Sequence, residues 1–127
     1  MGGMDAERGT RVEELMSTPL LTVSRNATVV EAAATMREHE VSALVVTTSP
    51  PSIITSTDVL DAVAEGRNVA ELLVSDVMTE SVETVPPNLR LEEAAAMMTN
   101  FGINHLPVVD DDFVGMISST DITARLS

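Results

Sequence analysis

The sequence predicts a mixed α/β (α+β) fold built twice over, as two successive β-α-β-β-α repeats. Three observations carry that prediction. "SIITSTD" at 52–58 returns as "GMISSTD" at 115–121. "LMSTPLLTVSRNATVVEAAATM" at 15–36 returns as "VMTESVETVPPNLRLEEAAAMM" at 77–98, at almost the same spacing. Helix-period apolar faces and dense apolar runs then follow in the same order within each copy.

The elements can be justified in order. The pairs Thr22-Val23 and Thr84-Val85 read as the first short strand of each repeat. Thr28-Val-Val-Glu31 is a capping box, which starts a helix. Val29, Ala32, Ala33 and Met36 then recur at i, i+3, i+4 and i+7, one apolar face. Leu91, Ala94, Ala95 and Met98 repeat the pattern. "ALVV" and "LPVV" are short apolar runs that read as buried strands. "SIIT" and "GMIS" read as their partners, with "TTSPP" and "DDDF" as turn chemistry between them. A closing helix begins at Ser56-Thr57-Asp58 and at Ser119-Thr120-Asp121. Residues 1–10 read as a flexible leader, 11–68 as the first repeat and 73–127 as the second. At this length each repeat is too small to bury its apolar faces by itself, so the two are expected to pack together.

Composition narrows the function. The chain has 127 residues, 44% hydrophobic and only 2% aromatic, so Val, Leu, Ile, Ala and eight Met must build the core. There is no cysteine, which removes disulfides, thiolate metal sites and a Cys nucleophile. No apolar run approaches the ~18 residues that a membrane helix needs, and the opening "MGGMDAERGT" lacks a signal-peptide pattern. The expectation is a cytoplasmic protein. Twenty Asp and Glu stand against seven basic residues, all Arg, for a net charge of −13. Such a field argues against nucleic acid or an anionic membrane as partner. Acidic excess without lysine suggests a salt-rich cytoplasm, and so a halophilic archaeon as the source. An ordinary acidic protein from a GC-rich genome is the alternative.

The repeated strand-to-helix junction carries the candidate chemistry. A helix N-terminus offers free N–H groups and partial positive charge to a phosphate. The neighbouring hydroxyls add donors, and an Asp in the first turn can accept two hydrogen bonds from a ribose diol. The same [ST]-x-x-[DE] pattern is also a plain capping box, favoured by the helix dipole. Enzymatic readings find little. The two histidines, His39 and His105, stand far apart in the chain without metal-ligand spacing. No nucleophile elbow or Gly-rich phosphate loop occurs.

On these residues the chain resembles a tandem pair of CBS domains, a Bateman module. Matching features are V-x-x-x-M-[ST] at Val12–Ser17 and Val74–Thr79, the "TV" strand, the "EAA" helix, "HLPVV" and G-x-x-S-x-x-D. The resemblance spans residues 11–127. It implies two repeats packed sheet to sheet with pseudo-twofold symmetry, and a homodimer. It further implies a regulatory role without catalysis, requiring no cofactor or metal. An adenosine-containing ligand such as AMP, ATP or S-adenosylmethionine would bind between repeats and act on an unknown target protein. A ligand-free dimerisation or docking module is the alternative.

The resemblance also implies two clefts. The stronger would use Asp121 for ribose, Ser118 and Thr120 for phosphate or ribose, and His105 for phosphate. Met16, Leu21, Val41, Ser42 and Ala43 would wall its adenine. The weaker would use Thr55, Thr57 and Asp58 with Met78, Glu83, Ile103 and Asn104. The first repeat departs from the pattern: Ser52 stands where Gly is usual, Val45 where Pro is usual, and Glu83 would bring a carboxylate to that cleft.

The charge makes one expectation testable from sequence. Screening shortens from about 10 Å at 0.1 M salt to about 3 Å at 1 M, relieving self-repulsion. The melting temperature is expected to rise strongly between about 0.1 and 2 M KCl in a scanning-calorimetry series. A flat profile would mark an ordinary acidic protein.

Overall fold

Two small sheets, each covered by helices, form in a computed structural model that describes residues 9–18, 20–80 and 82–126. Residues 1–8 of the expected leader lie outside the described residues. After a short 3₁₀ turn at Val12–Glu14, the elements are β1 (Thr22–Val23), α1 (Val29–His39), β2 (Ala43–Val46), β3 (Ser52–Thr55) and α2 (Ser56–Ala64). Then come α3 (Val74–Val77), α4 (Leu91–Phe101), β4 (His105–Asp110), β5 (Asp112–Ser118) and α5 (Ser119–Leu126).

The chain divides into two compact units that differ from the sequence repeats. Leu21–Val82 is one; the described residues of Met1–Leu20 with Glu83–Ser127 are the other. Each unit thus combines the body of one repeat with the opening segment of the other.

In the unit of Leu21–Val82, β1 runs parallel to β2, and β2 pairs antiparallel with β3 through Ala43↔Thr55 to Val46↔Ser52. All four residues of β2 are buried, as expected of a central strand with no polar face. Helix α1 starts in the expected box: the Glu31 N–H donates to Thr28 Oγ1 at 3.1 Å, and the Thr28 N–H donates to Glu31 Oε1 at 2.9 Å. The backbone bond from Thr28, with help from its hydroxyl, holds the Glu31 carboxyl below its ordinary range. A carboxyl depressed in the folded state contributes stability above its unfolded pKa and loses it as pH falls. Val29, Ala32 and Met36 face inward. Ala32 and Met36 join Leu44, Val46, Ile54 and Val74 in one cluster. Val74 comes from the opening segment of the second repeat. That segment is held by backbone bonds from Val29 N–H to the Leu72 carbonyl at 2.8 Å and from Val74 N–H to the Ala27 carbonyl at 2.8 Å. It ends in a bridge, Ile53↔Thr79.

The other unit is built alike. Strands β4 and β5 pair antiparallel, with a register shift between Val108 and Val109. They turn at Asp111, which adopts a positive φ of 66°, a conformation that Asp tolerates. The hairpin is therefore tighter than the sequence suggested: Asp110, Asp112 and Phe113 all lie in strands. Helix α4 buries Leu91, Ala94 and Met98 against Val12, Leu106, Val108, Ile117 and Ile122. Val12, fully buried, comes from the opening segment of the first repeat, with its N–H donating to the Leu89 carbonyl at 2.9 Å.

One expected element is reduced. The Thr84-Val85 strand is a single parallel bridge, Val85↔Val108, and its sheet has two strands. The cause is covalent. In the first unit the Val45 N–H donates to the Leu21 carbonyl at 3.1 Å. Pro107 holds the matching position in the second repeat and has no N–H to donate. Only Val85 N–H to Pro107 O at 3.0 Å and Val109 N–H to Val85 O at 2.9 Å remain.

The exchanged segments make a folding prediction. A fragment 1–68 omits Val74 and Thr79 and should show no cooperative melt by circular dichroism. The fragment 21–82, which contains the whole first-described unit, should melt cooperatively. The reverse result would show that the sequence repeat, and not the compact unit, is what folds.

Candidate functional site

Both strand-to-helix junctions form as capping boxes. At the first, the Asp58 N–H donates to Thr55 Oγ1 at 3.2 Å, while the Thr55 N–H and hydroxyl donate to Asp58 Oδ2 at 2.9 and 3.1 Å. At the second, the Asp121 N–H donates to Ser118 Oγ at 3.2 Å and the Ser118 N–H to Asp121 Oδ2 at 3.0 Å. The plain capping role of this motif is therefore realised in both copies. It leaves the functional reading standing. Each box fixes its aspartate through Oδ2, at a half-buried position on the first turn of a helix. The Oδ1 oxygens take no part in the boxes.

The remaining expected residues fall into the two units. With Asp121, Ser118 and Thr120 in one unit are Met16, Glu83, Ile103, Asn104 and His105. His105 is half-buried and stands opposite Ser118 in the β4–β5 register. The Ser119 N–H donates to the Asn104 carbonyl at 2.9 Å, tying the turn before β4 to the start of α5. With Asp58, Thr55 and Thr57 in the other unit are Leu21, Val41, Ser42, Ala43 and Met78. Ala43 pairs with Thr55, and the Ser56 N–H donates to the Ser42 carbonyl at 2.9 Å. Leu21, Val41 and Met78 pack at the edge of that unit's core, so their apolar character already has a structural use. Each expected cleft thus draws on residues of both units. His39 is exposed at the end of α1.

Gly115 separates the two junctions. The Ser17 N–H donates to the Met116 carbonyl at 2.8 Å, and the Met116 N–H returns to the Ser17 carbonyl at 3.1 Å. A Cβ on Gly115 would lie 2.8 Å from Met16 Sδ and 2.8 Å from the Ser17 carbonyl oxygen. Glycine is required there by close approach, and Met16 is seated directly against it. At the matching position of the first repeat, Ser52 is 1% exposed, with its hydroxyl 2.7 Å from that of Thr48.

A feature beyond the sequence reading is an open cavity of about 490 Å³ between α4 and the start of α5. Met98, Ile103 and Ile122 give it apolar walls; Thr99, Asn104, Ser119 and Thr123 make it polar at the edge. Of these, only Ile103 and Asn104 are ligand-site residues in the sequence reading. The sequence signal for the rest is faint: small residues, Ala95 and Gly102, at positions lining the gap. A smaller space of about 180 Å³ adjoins Asp58 and is lined by Asp61, Glu65, Arg67 and Asp76.

Comparison with known proteins fits this geometry. A family model described as CBS domain matches residues 12–65 and 74–127. A Methanopyrus kandleri protein is 35% identical over 121 residues, covering 91% of this chain; the chain spans 62% of that protein's length. The hexameric CBS-CP12 protein from bloom-forming cyanobacteria superposes with a TM-score of 0.88 at 27% identity, covering 92% of this chain and 72% of that one. The CBS domain pair of protein MJ0100, solved in complex with 5′-methylthioadenosine and S-adenosyl-L-methionine, superposes with a TM-score of 0.81 at 29% identity, covering 92% and 95%.

The caps and the glycine predict separate costs in ligand-free protein. Asp58→Ala and Asp121→Ala should each lose about 0.5–1.5 kcal/mol of unfolding free energy, the net contribution of the capping-box hydrogen bond that each carboxylate accepts. Gly115→Ala should lose about 1–3 kcal/mol, because Met16 and Ser17 must shift. Urea denaturation followed by circular dichroism measures all three. A neutral Gly115→Ala would show that the Met16 segment yields freely.

Proposed function

The chain belongs to the CBS domain family, and from that premise we propose that it is a regulatory module that binds an adenosine-containing ligand and conveys occupancy to a partner protein. The observation that carries the reading is the twice-built junction. A carboxylate is fixed by its own cap through one oxygen, on a helix start whose N–H groups and hydroxyls suit ribose and phosphate. The MJ0100 domain pair, whose complex holds two adenosine compounds, supports the same ligand class.

Within that reading the Asp121 site is the principal one. Asp121, Ser118 and Thr120 would meet ribose and phosphate, His105 phosphate, and Met16, Leu21, Val41, Ser42 and Ala43 the base. The Asp58 site, with Thr55, Thr57, Met78, Glu83, Ile103 and Asn104, would be the weaker. The carboxylates of Asp61, Glu65 and Asp76 beside Asp58 disfavour a phosphate there. AMP, or a ligand carrying its own positive charge such as S-adenosylmethionine, suits a chain with one half-buried His and no Lys better than ATP does. The module works without catalysing a reaction, as a homo-oligomer in the cytoplasm, and its acid-rich surface fits a salt-rich one. Among the described residues no helix is long and apolar enough to cross a membrane. Exposed Leu60, Val63 and Phe101 favour a second reading, a docking module without ligand.

Calorimetry with AMP, ATP, adenosine, 5′-methylthioadenosine and S-adenosylmethionine at high salt tests the proposal. Asp→Asn variants keep a carbonyl acceptor for the cap and so separate binding from folding. A hydrogen bond to a charged acceptor contributes about 1.5–3 kcal/mol, so Asp121→Asn should weaken binding at least tenfold (~1.4 kcal/mol). Asp58→Asn should change it little. His105→Ala should weaken AMP more than adenosine, because only AMP carries the phosphate that His105 would meet. If no adenine compound binds below millimolar concentration, the docking module is the function.

A further inference from the structure

The three-stranded sheet has a polar cavity at the end away from the Asp58 junction. Strand β3 runs from Ser52 to Thr55, so its two ends lie about 10 Å apart. Thr55 opens the Asp58 box, whereas Ser52 lines an open cavity of about 390 Å³. Three segments of the chain meet there. Arg25 follows β1, Thr47 to Pro50 follow β2, and Glu80 follows the Ile53↔Thr79 bridge. All belong to the unit of Leu21–Val82.

Part of the lining is fixed by the fold. The Thr48 hydroxyl donates to the Pro50 carbonyl at 2.8 Å and lies 2.7 Å from the Ser52 hydroxyl, which ties the turn to itself. The Thr47 N–H donates to the Val23 carbonyl at 3.2 Å, and the Arg25 carbonyl accepts from the Ser75 N–H at 3.0 Å. The other lining side chains are not spent on the fold. Among the described residues, the Arg25 guanidinium and the Glu80 carboxylate form no ion pair, with each other or with a neighbour, and the Thr47 and Ser49 hydroxyls make no hydrogen bond. Nor does the scaffold require them. In the other unit, which is built alike, the matching positions hold Pro87, Val109, Gly115 and Thr18, none of them charged.

We propose that this cavity is a second ligand site, for a small zwitterion of the α-amino-acid class, whose carboxylate meets Arg25 and whose ammonium meets Glu80. Its volume falls in the range of small-molecule sites, about 300–1,000 Å³. Such sites usually have mostly apolar walls. Here every lining residue except Pro50 carries a charge or a hydroxyl, which suits a ligand polar throughout. A simple anion would gain Arg25 but face Glu80, and a simple cation would meet the reverse. A molecule with both charges satisfies both side chains. Arg25 offers a planar pair of donors to a carboxylate, and Glu80 accepts from the ammonium. The lining is formally neutral in a chain of net charge −13, unlike the space beside Asp58.

This site is separate from the adenosine site proposed above and stands or falls without it. Calorimetry with a panel of the standard α-amino acids tests it, at the lowest KCl concentration that gives a cooperative melt, because salt screens exposed charges. At least one amino acid should bind at millimolar concentration or better. Its amide, which lacks the carboxylate, and its N-acetyl form, which lacks the ammonium, should each bind at least tenfold more weakly. Arg25→Gln and Glu80→Gln should each cost at least tenfold in affinity for the parent amino acid. Arg25→Gln should also abolish the preference over the amide and keep that over the N-acetyl form; Glu80→Gln should do the opposite. A merely structural effect would move both preferences together. Both side chains are exposed, so the melting curves should not change. Arg37→Gln and Glu38→Gln make equal charge changes at exposed positions of α1 and should leave binding as it is. No binding by any amino acid at millimolar concentration would overturn the site. An amide or N-acetyl form that binds as tightly as its parent would overturn the zwitterion. Binding insensitive to Arg25→Gln and Glu80→Gln would overturn the location.

Discussion

The fold depends on a backbone contact that neither repeat makes within itself. In one unit Ser17 and Met116 exchange N–H···O bonds of 2.8 and 3.1 Å; in the other Ile53 and Thr79 exchange bonds of 2.9 and 2.8 Å. These bridges anchor the opening segment of each repeat against the hairpin of the other. The segments bring Val12 and Val74, both fully buried, into cores that would otherwise have gaps. Burying a Val contributes about 1.5–3 kcal/mol, a large share of the stability of a unit of about sixty residues, which is marginal at that size. The bridge also governs chemistry near the junctions. Close approach at Met116 demands Gly115, and Gly115 seats Met16. A residue proposed for ligand contact is held by the same contact that completes the core.

The strand-to-helix junctions join a helix cap and a proposed ligand contact in one residue. Asp58 and Asp121 each accept a backbone N–H through Oδ2, so each carboxylate is oriented before any ligand arrives. Preorganisation of this kind lowers the entropy lost on binding. It also means that truncating either aspartate removes a capping bond along with the proposed ligand contact, so a loss of binding in the alanine variant would have two physical sources. The asparagine variant leaves the cap its acceptor and isolates the charge.

Much of this was legible because it is local. "ALVV" and "SIIT" are strands over the residues expected, and Thr28 with Glu31 forms the expected box. The closing helices start at Ser56 and Ser119, as their motifs indicated. The exchange of opening segments was not legible. It pairs Ser17 with Met116, near opposite ends of the chain, and no local pattern of apolar spacing encodes such a pairing. The reduced second strand was legible in principle. Pro107 announces a missing donor, yet Thr84-Val85 matches Thr22-Val23 so closely that similarity of one strand concealed a change in its partner. At the junctions the capping role was legible in the sequence, and the ligand role remains a proposal, while the cavity beside α5 arises from how far α4 stands from it, which residue identity does not determine.

Duplication gave the chain one scaffold twice, and the substitutions between copies fall where the scaffold tolerates them. Positions that hold the cores stay apolar: Ala32 and Met36 answer Ala94 and Met98, and Val12 answers Val74. Exposed positions diverge. Leu60 on α2 becomes Thr123 on α5, and Asp61 becomes Ala124, so one closing helix is apolar and acidic outside while the other is nearly neutral. Gly115 and His105 have Ser52 and Ala43 as counterparts. Like charges repel strongly enough to steer association and to exclude anions, so the loss of carboxylates around the second junction changes what can approach it. The space beside Asp58, lined by Asp61, Glu65 and Asp76 with Arg67, and the run from Ala94 to Val109 without Asp, Glu, Arg or Lys are two outcomes of the same duplication, so that two junctions of like backbone geometry stand in different electrostatic surroundings.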